Sequence, residues 1–169
     1  MTISGAQEFG DPCRECGYHW KQSFESLMTS HSQIHSDLSA AVTAHNYRTR
    51  VAHTPWSVGE YVCHIADNEH IWAERLATAA EMTEPRISAF DQDALAEARN
   101  YAHIPYETAV WSLDHSCAEL TRAAKDAAGT ATSFYHPERG QLSVLEAIRT
   151  VIHDCHHHLW DIRRILAQR

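Results

Sequence analysis

The chain has 169 residues, enough for one domain with a hydrophobic core, and 44% of them are hydrophobic, which excludes a largely disordered protein. Its 22 Asp and Glu against 14 Lys and Arg give a net charge of −8, which argues against nucleic-acid and anionic-membrane partners. No apolar run reaches the roughly 20 residues of a transmembrane helix. Residues 1–8 lack the pattern of a signal peptide, so we expect a cytoplasmic protein.

Residues 1–17 contain glycine and proline and show no sustained hydrophobic period, which predicts an extended N-terminal arm. Within the arm, Cys13 and Cys16 have half of a typical zinc-binding spacing, and His19 is a candidate third ligand. Three interpretations of these cysteines stay open: a structural metal shared with distant residues, a reversible disulfide, and free thiols.

A single domain of residues 18–169 is predicted to follow the arm, beginning with two amphipathic helices. Apolar residues at three- and four-residue spacing predict the first helix over about 18–45. The second helix is predicted to begin with a capping box formed by Ser57 and Glu60, and Trp56 has the position of a hydrophobic staple.

The second half of the chain predicts two more helices. Residues 82–104 are expected to form a long connection with one short helical piece at 94–99, and Pro105 suits the first turn of a third helix. Residues 129–140 are predicted to be a loop before a second capping box, Ser143 to Glu146, opens a fourth helix. These elements predict an all-α fold, an antiparallel four-helix bundle with almost no strand.

The predicted fourth helix carries two pairs of metal-binding side chains at i, i+4 spacing, which lets both members of a pair hold one ion. At about 100° per residue, His158 lies roughly 70° and Asp154 roughly 110° from the centre of the apolar stripe. His153 and His157 lie roughly 150° or more away, so we expect them to face outward. Helical phase therefore favours Asp154 and His158 as ligands, unless a bulge near Cys155 turns His153 toward the pocket.

His64, beside the apolar face of the second helix, is the candidate third ligand from a facing helix. The alternative is a partly buried histidine held by a backbone or carboxylate partner. Asp161 lies one turn after His158, and Glu60 lies one turn before His64. These carboxylates are placed to orient the two imidazoles, although both are equally consistent with solvated helix positions.

Four further side chains have weaker patterns. His31 and His35 share a face of the first helix, and His31 is interpreted as a core histidine, with a place in the pocket wall as the alternative. Asp91 and Asp93 lie in the long connection and are interpreted as solvated residues, with substrate contact as the alternative.

Two short motifs resemble the DinB-like superfamily of metal-binding four-helix bundles. The first is Trp56-Ser57 followed by Val62-Cys63-His64-Ile65, and the second is Asp154-x3-His158 followed by Asp161-Ile162. The resemblance extends over about residues 20–166. Members of this superfamily carry one ligating histidine after the Trp-Ser/Thr start of the second helix and an H-x3-H or E-x3-H pair on the last helix. The resemblance thus implies the ligand set His64, Asp154 and His158, with Asp154 in the place of the glutamate.

The most similar branch is thiol-dependent and includes mycothiol-dependent maleylpyruvate isomerase and the bacillithiol S-transferases. The resemblance implies an enzyme that activates a low-molecular-weight thiol of the mycothiol or bacillithiol type for S-transfer to, or isomerisation of, an electrophilic small molecule. Two imidazoles and one carboxylate leave a divalent ion with open positions, and zinc or nickel suits them. A non-catalytic metal-binding stress-response bundle and a metal-dependent hydrolase stay open as alternatives, and a homodimer is expected because relatives often dimerise.

Overall fold

The computed structural model describes residues 4–82, 84–130 and 133–168, which form six α-helices, one 3-10 helix and a two-stranded hairpin. In chain order these are α1 (Gly5–Phe9), α2 (Phe24–Ala41), α3 (Val58–Glu81), α4 (Gln92–Ala98), the 3-10 helix (Tyr101–His103), α5 (Tyr106–Ala128), β1 (Ser133–His136), β2 (Gly140–Ser143) and α6 (Val144–Ala167).

The four long helices, α2, α3, α5 and α6, pack around one hydrophobic core. Helix α3 packs most extensively against α5, and α6 lies against both α2 and α3. Each long helix contributes a fully buried side chain, for example Leu27, Ile65, Leu120 and Ile152. The predicted four-helix bundle is confirmed. None of the helices within the described residues has both the length and the apolar composition to cross a membrane.

The start of α3 is defined by the predicted capping box and staple. The hydroxyl of Ser57 accepts the N–H of Glu60, and the Glu60 carboxylate accepts the N–H of Ser57 at 2.8 Å. The ring of Trp56 lies 5.4 Å from that of Tyr61, centroid to centroid, which is the staple contact. The capping box and the staple together fix the first turn of α3, and therefore the direction in which each later side chain of the helix points. His64, in the second turn, faces α6.

Other helix boundaries agree with the sequence to within a few residues. The second predicted capping box is present, with Ser143 and Glu146 at the start of α6. Helix α2 is shorter than the predicted 18–45, because the Ser23 hydroxyl accepts the N–H of Ser26 and caps the helix there. Helix α4 begins slightly before the predicted helical piece at 94–99.

The predicted loop over residues 129–140 is wrong from residue 133 onward, because residues 133–143 form an antiparallel hairpin, whose two short strands are the only strands among the described residues. Phe134 pairs with Leu142, and both side chains are buried. The next residue of β1, Tyr135, is exposed. The residue in left-handed conformation after the turn is Gly140, with φ of 73°, which glycine adopts without steric cost. Four residues per strand are too few for a recognisable alternation.

The described segment before the cap of α2, residues 4–22, is called the arm from here on; it contains a short helix, α1, and packs on α6. The hydroxyl of Tyr18 donates to the backbone carbonyl of Arg149 on α6 at 3.2 Å. The indole of Trp20 covers Gly5 so closely that a Cβ at Gly5 would overlap the ring. Tyr18 and Trp20 are both buried, so the outer face of α6 is not solvent-exposed where the arm lies.

A buried carboxylate, that of Glu69 on α3, contacts the other three helices of the bundle. Its Oε1 lies 2.6 Å from Nε2 of His31 and 2.6 Å from Nε2 of His35, both on α2. The hydroxyl of Ser116 on α5 donates to Oε2 at 2.7 Å, and the thiol of Cys155 on α6 donates to Oε1 at 3.5 Å. The interpretation of His31 as a hydrogen-bonded core histidine is confirmed, and His35 joins the same network.

The Glu69 network carries charge. Burial alone would raise the pKa of Glu69, but the hydrogen bonds and charges of His31 and His35 outweigh burial and lower it to about 2. Burial alone would lower the pKa of His35, but its interactions with Cys117 and Glu69 outweigh burial and raise it to about 10. At neutral pH the network therefore contains a carboxylate and at least one imidazolium.

Replacing Glu69 by alanine is expected to destabilise the protein strongly. The change leaves two buried histidines without their acceptor, and removal of one partner from a buried charge pair costs about 3–5 kcal/mol. Urea unfolding measures the effect. Glu74→Ala, an exposed glutamate of the same helix, is the matched control and should stay within about 0.5 kcal/mol of the parent protein. Equal stability of the two variants would contradict the role of Glu69.

The raised pKa of His35 predicts that stability decreases at alkaline pH. A group with a higher pKa in the folded state contributes stability that is fully present below its unfolded pKa of 6.5 and is lost as the pH rises to about 10. We expect the free energy of unfolding, measured by urea titration at a series of pH values, to fall across this window. In His35→Gln the fall should be smaller, and identical slopes in both proteins would argue against the assignment.

Candidate metal centre

His64 is a buried histidine of α3 that faces α6. Its side chain is 2% exposed, and its Nε2 atom has no hydrogen-bond partner. This nitrogen lies 3.3 Å from Oδ2 of Asp154, without the alignment of a hydrogen bond. The indole ring of Trp56 lies 4.8 Å from the imidazole and limits its movement. A buried polar atom without a partner is costly, so this nitrogen is available to a ligand that the protein alone does not supply.

Asp154 and His158 on α6 complete a cluster around that nitrogen. Nε2 of His158 lies 3.5 Å from Oδ1 of Asp154, and the rings of His64 and His158 are 4.7 Å apart. One ligand atom from each of the three residues lies within 4.8 Å of the others. Ligand atoms on one zinc ion would be about 3.3–3.5 Å apart, given metal–ligand bonds of about 2.0–2.2 Å. The donor set therefore fits a divalent ion after small side-chain movements.

Two neighbours orient these side chains. Nδ1 of His158 lies 3.1 Å from Oδ2 of Asp161, so the predicted carboxylate acceptor is confirmed and Nε2 is left for a ligand. The amide of Asn68 donates to Oδ2 of Asp154 at 2.8 Å. Glu60, the other predicted acceptor, caps α3 instead. Asn68 was not among the predicted site residues, although it lies one turn after His64, on the same face of the helix.

The charges in the cluster favour an ionised carboxylate. Burial alone would raise the pKa of Asp154, but His158 and His64 outweigh burial and hold it well below its ordinary value. Burial alone would lower the pKa of His158, but Asp154 and Asp161 outweigh burial and raise it to about 9. The cluster thus favours a positive charge next to Asp154. When no metal is bound, the protonated imidazole of His158, between Asp154 and Asp161, supplies that charge.

The expectation that His153 faces outward into solvent is wrong, because the N-terminal arm covers it. His153 is 5% exposed, and its ring lies 4.8 Å from that of Phe9, 5.2 Å from Tyr18 and 4.5 Å from Trp20. Burial, followed by the neighbouring charge of His157, lowers the pKa of His153 to about 4. Helical phase correctly predicts that His153 points away from the bundle core. The residue is nevertheless buried, because the arm packs on that side of α6.

The alternative in which His153 replaces Asp154 is not observed. Helix α6 is α-helical without interruption from Val144 to Ala167, so there is no bulge near Cys155. His157 lies beside the arm, with Nε2 3.5 Å from Oε2 of Glu15.

A cavity of about 400 Å³ opens next to His64, Asp154 and His158. Its wall combines polar and aromatic side chains from α3, α6, the arm, the long connection and the hairpin. The wall includes Trp72 and Phe90, together with Arg75, His136 and Arg139, which the sequence did not indicate as site residues. Asp91 instead caps α4, and Asp93 is exposed in the first turn of that helix.

Two guanidinium groups lie in the cavity wall. Arg75 packs over the ring of Trp72 at 4.6 Å and over that of Phe90 at 5.6 Å, and it donates to the carbonyl of Ser88. Arg139, from the hairpin turn, pairs with Glu8 at 3.1 Å. Arg75 lies eleven residues after His64, close to three helical turns, so helical spacing was an available signal for it.

Comparisons with known proteins agree with this architecture. Residues 30–163 match the family model described as the mycothiol maleylpyruvate isomerase N-terminal domain, and the three clustered residues lie within the match. No curated protein matches the chain. Among solved structures, YfiT from Bacillus subtilis is similar, with a TM-score of 0.75, 18% sequence identity and coverage of 88% of each chain. YfiT is described as a probable metal-dependent hydrolase with an unusual four-helix bundle topology, and at this identity the similarity shows a shared fold.

The geometry predicts that His64→Ala removes one equivalent of bound divalent metal per chain. Truncation takes away one of three ligands, so affinity at this cluster should collapse while the helical signal in circular dichroism is largely retained. Asp154→Ala and His158→Ala should lose the same equivalent. Elemental analysis after dialysis measures the content.

The matched control is His70→Ala, an exposed histidine on the same helix that pairs with Glu119. This variant should keep the metal content of the parent protein. Full metal content in His64→Ala would remove His64 from the site.

Proposed function

Because the chain belongs to the mycothiol maleylpyruvate isomerase N-terminal domain family, we propose that it is a metal-dependent enzyme that uses a low-molecular-weight thiol. His64, Asp154 and His158 would hold one divalent ion, for which zinc or nickel suits the imidazole-rich donor set. The thiol would be of the mycothiol or bacillithiol type. Its reaction partner would be an electrophilic small molecule that either accepts the sulfur or is isomerised.

One observation carries the metal part of this proposal: the buried Nε2 of His64, which has no hydrogen-bond partner and faces Asp154 and His158. A histidine kept for packing alone would be expected to have a partner for this atom. Three protein ligands are fewer than the four of a closed structural site, so coordination positions remain for a substrate. A divalent ion in this position would stabilise the thiolate form of a coordinated thiol near neutral pH.

The chain's own residues have distinct tasks in such a reaction. Asp161 would hold the Nδ1 proton of His158 and thereby leave the lone pair of Nε2, which lies beside Asp154, to the metal ion. Asn68 donates to one oxygen of Asp154 and restricts rotation of the carboxylate. Trp56, itself buried, packs against the imidazole of His64 and restricts the orientation of that ring.

The cavity supports an anionic small molecule as the electrophile. Its volume of about 400 Å³ is in the range of small-molecule sites. Arg75 and Arg139 provide guanidinium groups in its wall, and guanidinium binds carboxylate with two parallel hydrogen bonds. Arg75 is already held in place by Trp72 and Phe90, so little side-chain freedom is lost when it binds an anion.

A metal-dependent hydrolase is the second candidate. It is favoured by the similarity in fold to YfiT, which is described as a probable metal-dependent hydrolase. The same three ligands would serve either reaction, because a divalent ion also lowers the pKa of a coordinated water. The two functions differ in their dependence on an added thiol.

A thiol panel tests the proposal. Metal-loaded protein is incubated with a fluorogenic electrophile and with mycothiol, bacillithiol, glutathione or cysteine, and adduct formation is followed above the uncatalysed rate. We expect catalysis with one of the first two thiols, abolished in His64→Ala and retained in His70→Ala. Ester hydrolysis without any thiol would favour the hydrolase. Equal rates in the two variants would contradict a role for the cluster in catalysis.

A further inference from the structure

A second group of metal-binding side chains joins the N-terminal arm to α6. One ligand atom from each of Cys13, Cys16, His153 and His157 lies within 4.8 Å of the other three. Both cysteines are free thiols. We propose that these four residues form a structural Cys2His2 zinc site that fastens the arm to α6, separate from the cluster of His64, Asp154 and His158.

The local structure of the arm holds its two thiols together. The N–H of Gly17 donates to the carbonyl of Cys13 at 3.0 Å, and the N–H of Cys13 donates to the carbonyl of Tyr18 at 2.8 Å. Gly17 has φ of 76°, a left-handed conformation that favours glycine. The result is a tight Cys-x2-Cys-Gly turn, the kind of spacing with which two cysteines bind one zinc ion. His19, the predicted third ligand in the arm, is exposed and lies outside the cluster.

Helix α6 supplies the other two ligands at i, i+4 spacing. Nε2 of His153 and Nδ1 of His157 are both buried, and neither has a hydrogen-bond partner. The rings of Phe9, Tyr18 and Trp20 from the arm pack around His153, and they offer it no strong acceptor. Nε2 of His157 lies 3.5 Å from Glu15, so its second nitrogen is near a carboxylate, as is usual for metal-bound histidines. These unpartnered nitrogens are the independent observation that points to a ligand.

The donor set selects the ion and its role. Two thiolates and two imidazoles are the ligands of closed, tetrahedral zinc sites, and sulfur disfavours magnesium and calcium. On one zinc ion, the ligand atoms would be about 3.3–3.8 Å apart, because Zn–S and Zn–N bonds are about 2.3 and 2.0–2.1 Å. The observed limit of 4.8 Å therefore needs only a small contraction. Four protein ligands leave no position for a substrate, so this ion would be structural.

Binding at this site would shape the cavity beside the first cluster. Phe9 and Glu15 of the arm line that cavity together with His153 and His157. A zinc ion that cross-links the arm to α6 would keep this part of the wall in place. The site thus connects the position of the arm to the geometry of the substrate cavity without taking part in the reaction.

Cobalt substitution and metal counting test the proposal on the full chain. Under reducing conditions, apo protein is titrated with Co²⁺, and thiolate-to-cobalt charge-transfer absorption reports sulfur ligands. We expect two equivalents in the parent protein, one of which produces that absorption. The variant Cys13→Ser/Cys16→Ser should bind one equivalent with no thiolate absorption. His64→Ala should bind one equivalent and keep the absorption, which separates this site from the first cluster.

Cys117→Ser is the matched control, because Cys117 is a half-buried thiol near His31 and His35. Cys117→Ser should keep the thiolate-to-cobalt absorption. The proposal would be overturned if Cys117→Ser lost this absorption while the Cys13→Ser/Cys16→Ser variant kept it. The remaining equivalent in the Cys13/Cys16 variant shows that the bundle is folded. Unchanged stoichiometry and spectrum in that variant, or a Cys13–Cys16 disulfide and no thiolate-bound metal in the protein as purified, would also overturn it.

Discussion

The angular spacing of side chains on α6 is the constraint on which both clusters of candidate metal ligands depend. Each residue advances about 100° around the helix axis, so the pairs 153/157 and 154/158 point in different directions although they are adjacent in sequence. The apolar stripe of α6 takes a third direction and faces the core. One helix therefore meets three partners, namely the bundle interior, α3 and the N-terminal arm.

A second constraint sets how α3 meets α6, and it is the buried charge of Glu69. A carboxylate with no exposed surface is tolerated only if hydrogen bonds and opposite charge replace water. Glu69 obtains them from all three other long helices. Its partners are His31 and His35 on α2, Ser116 on α5 and Cys155 on α6. A shift of α2 along its axis would leave the charge of Glu69 unpaired, and a shift of α5 or α6 would remove one of its hydrogen bonds. The network thus favours one register, and His64 lies on the same helix as Glu69.

The sequence was informative where the determinants are local. Capping boxes at Ser57 and Ser143 and the staple at Trp56 locate the starts of α3 and α6, and from those starts the phase of His64, Asp154 and His158 follows. Burial of His153 depends on Trp20 and other arm residues more than 130 positions earlier in the chain, and helical phase contains no such information. The hairpin was missed for a related reason, since its short strands gain their stability by burying Phe134 and Leu142 against helices.

The two clusters differ in the number of candidate ligands, and on the proposals above this difference would give them different chemistry. A set of four protein ligands satisfies a tetrahedral ion, whereas a set of three leaves the ion incomplete and open to a small molecule. An incomplete site next to solvent needs walls that define which molecule enters. In this protein the cavity wall comes partly from the arm, a segment with little helix of its own. Such a segment keeps a defined position only through contacts with the rest of the protein, and the aromatic rings around His153 are among those contacts. A cross-link from Cys13 and Cys16 to His153 and His157 would join the arm to α6 at the same residue, His153, and would add a metal-held connection to this packing.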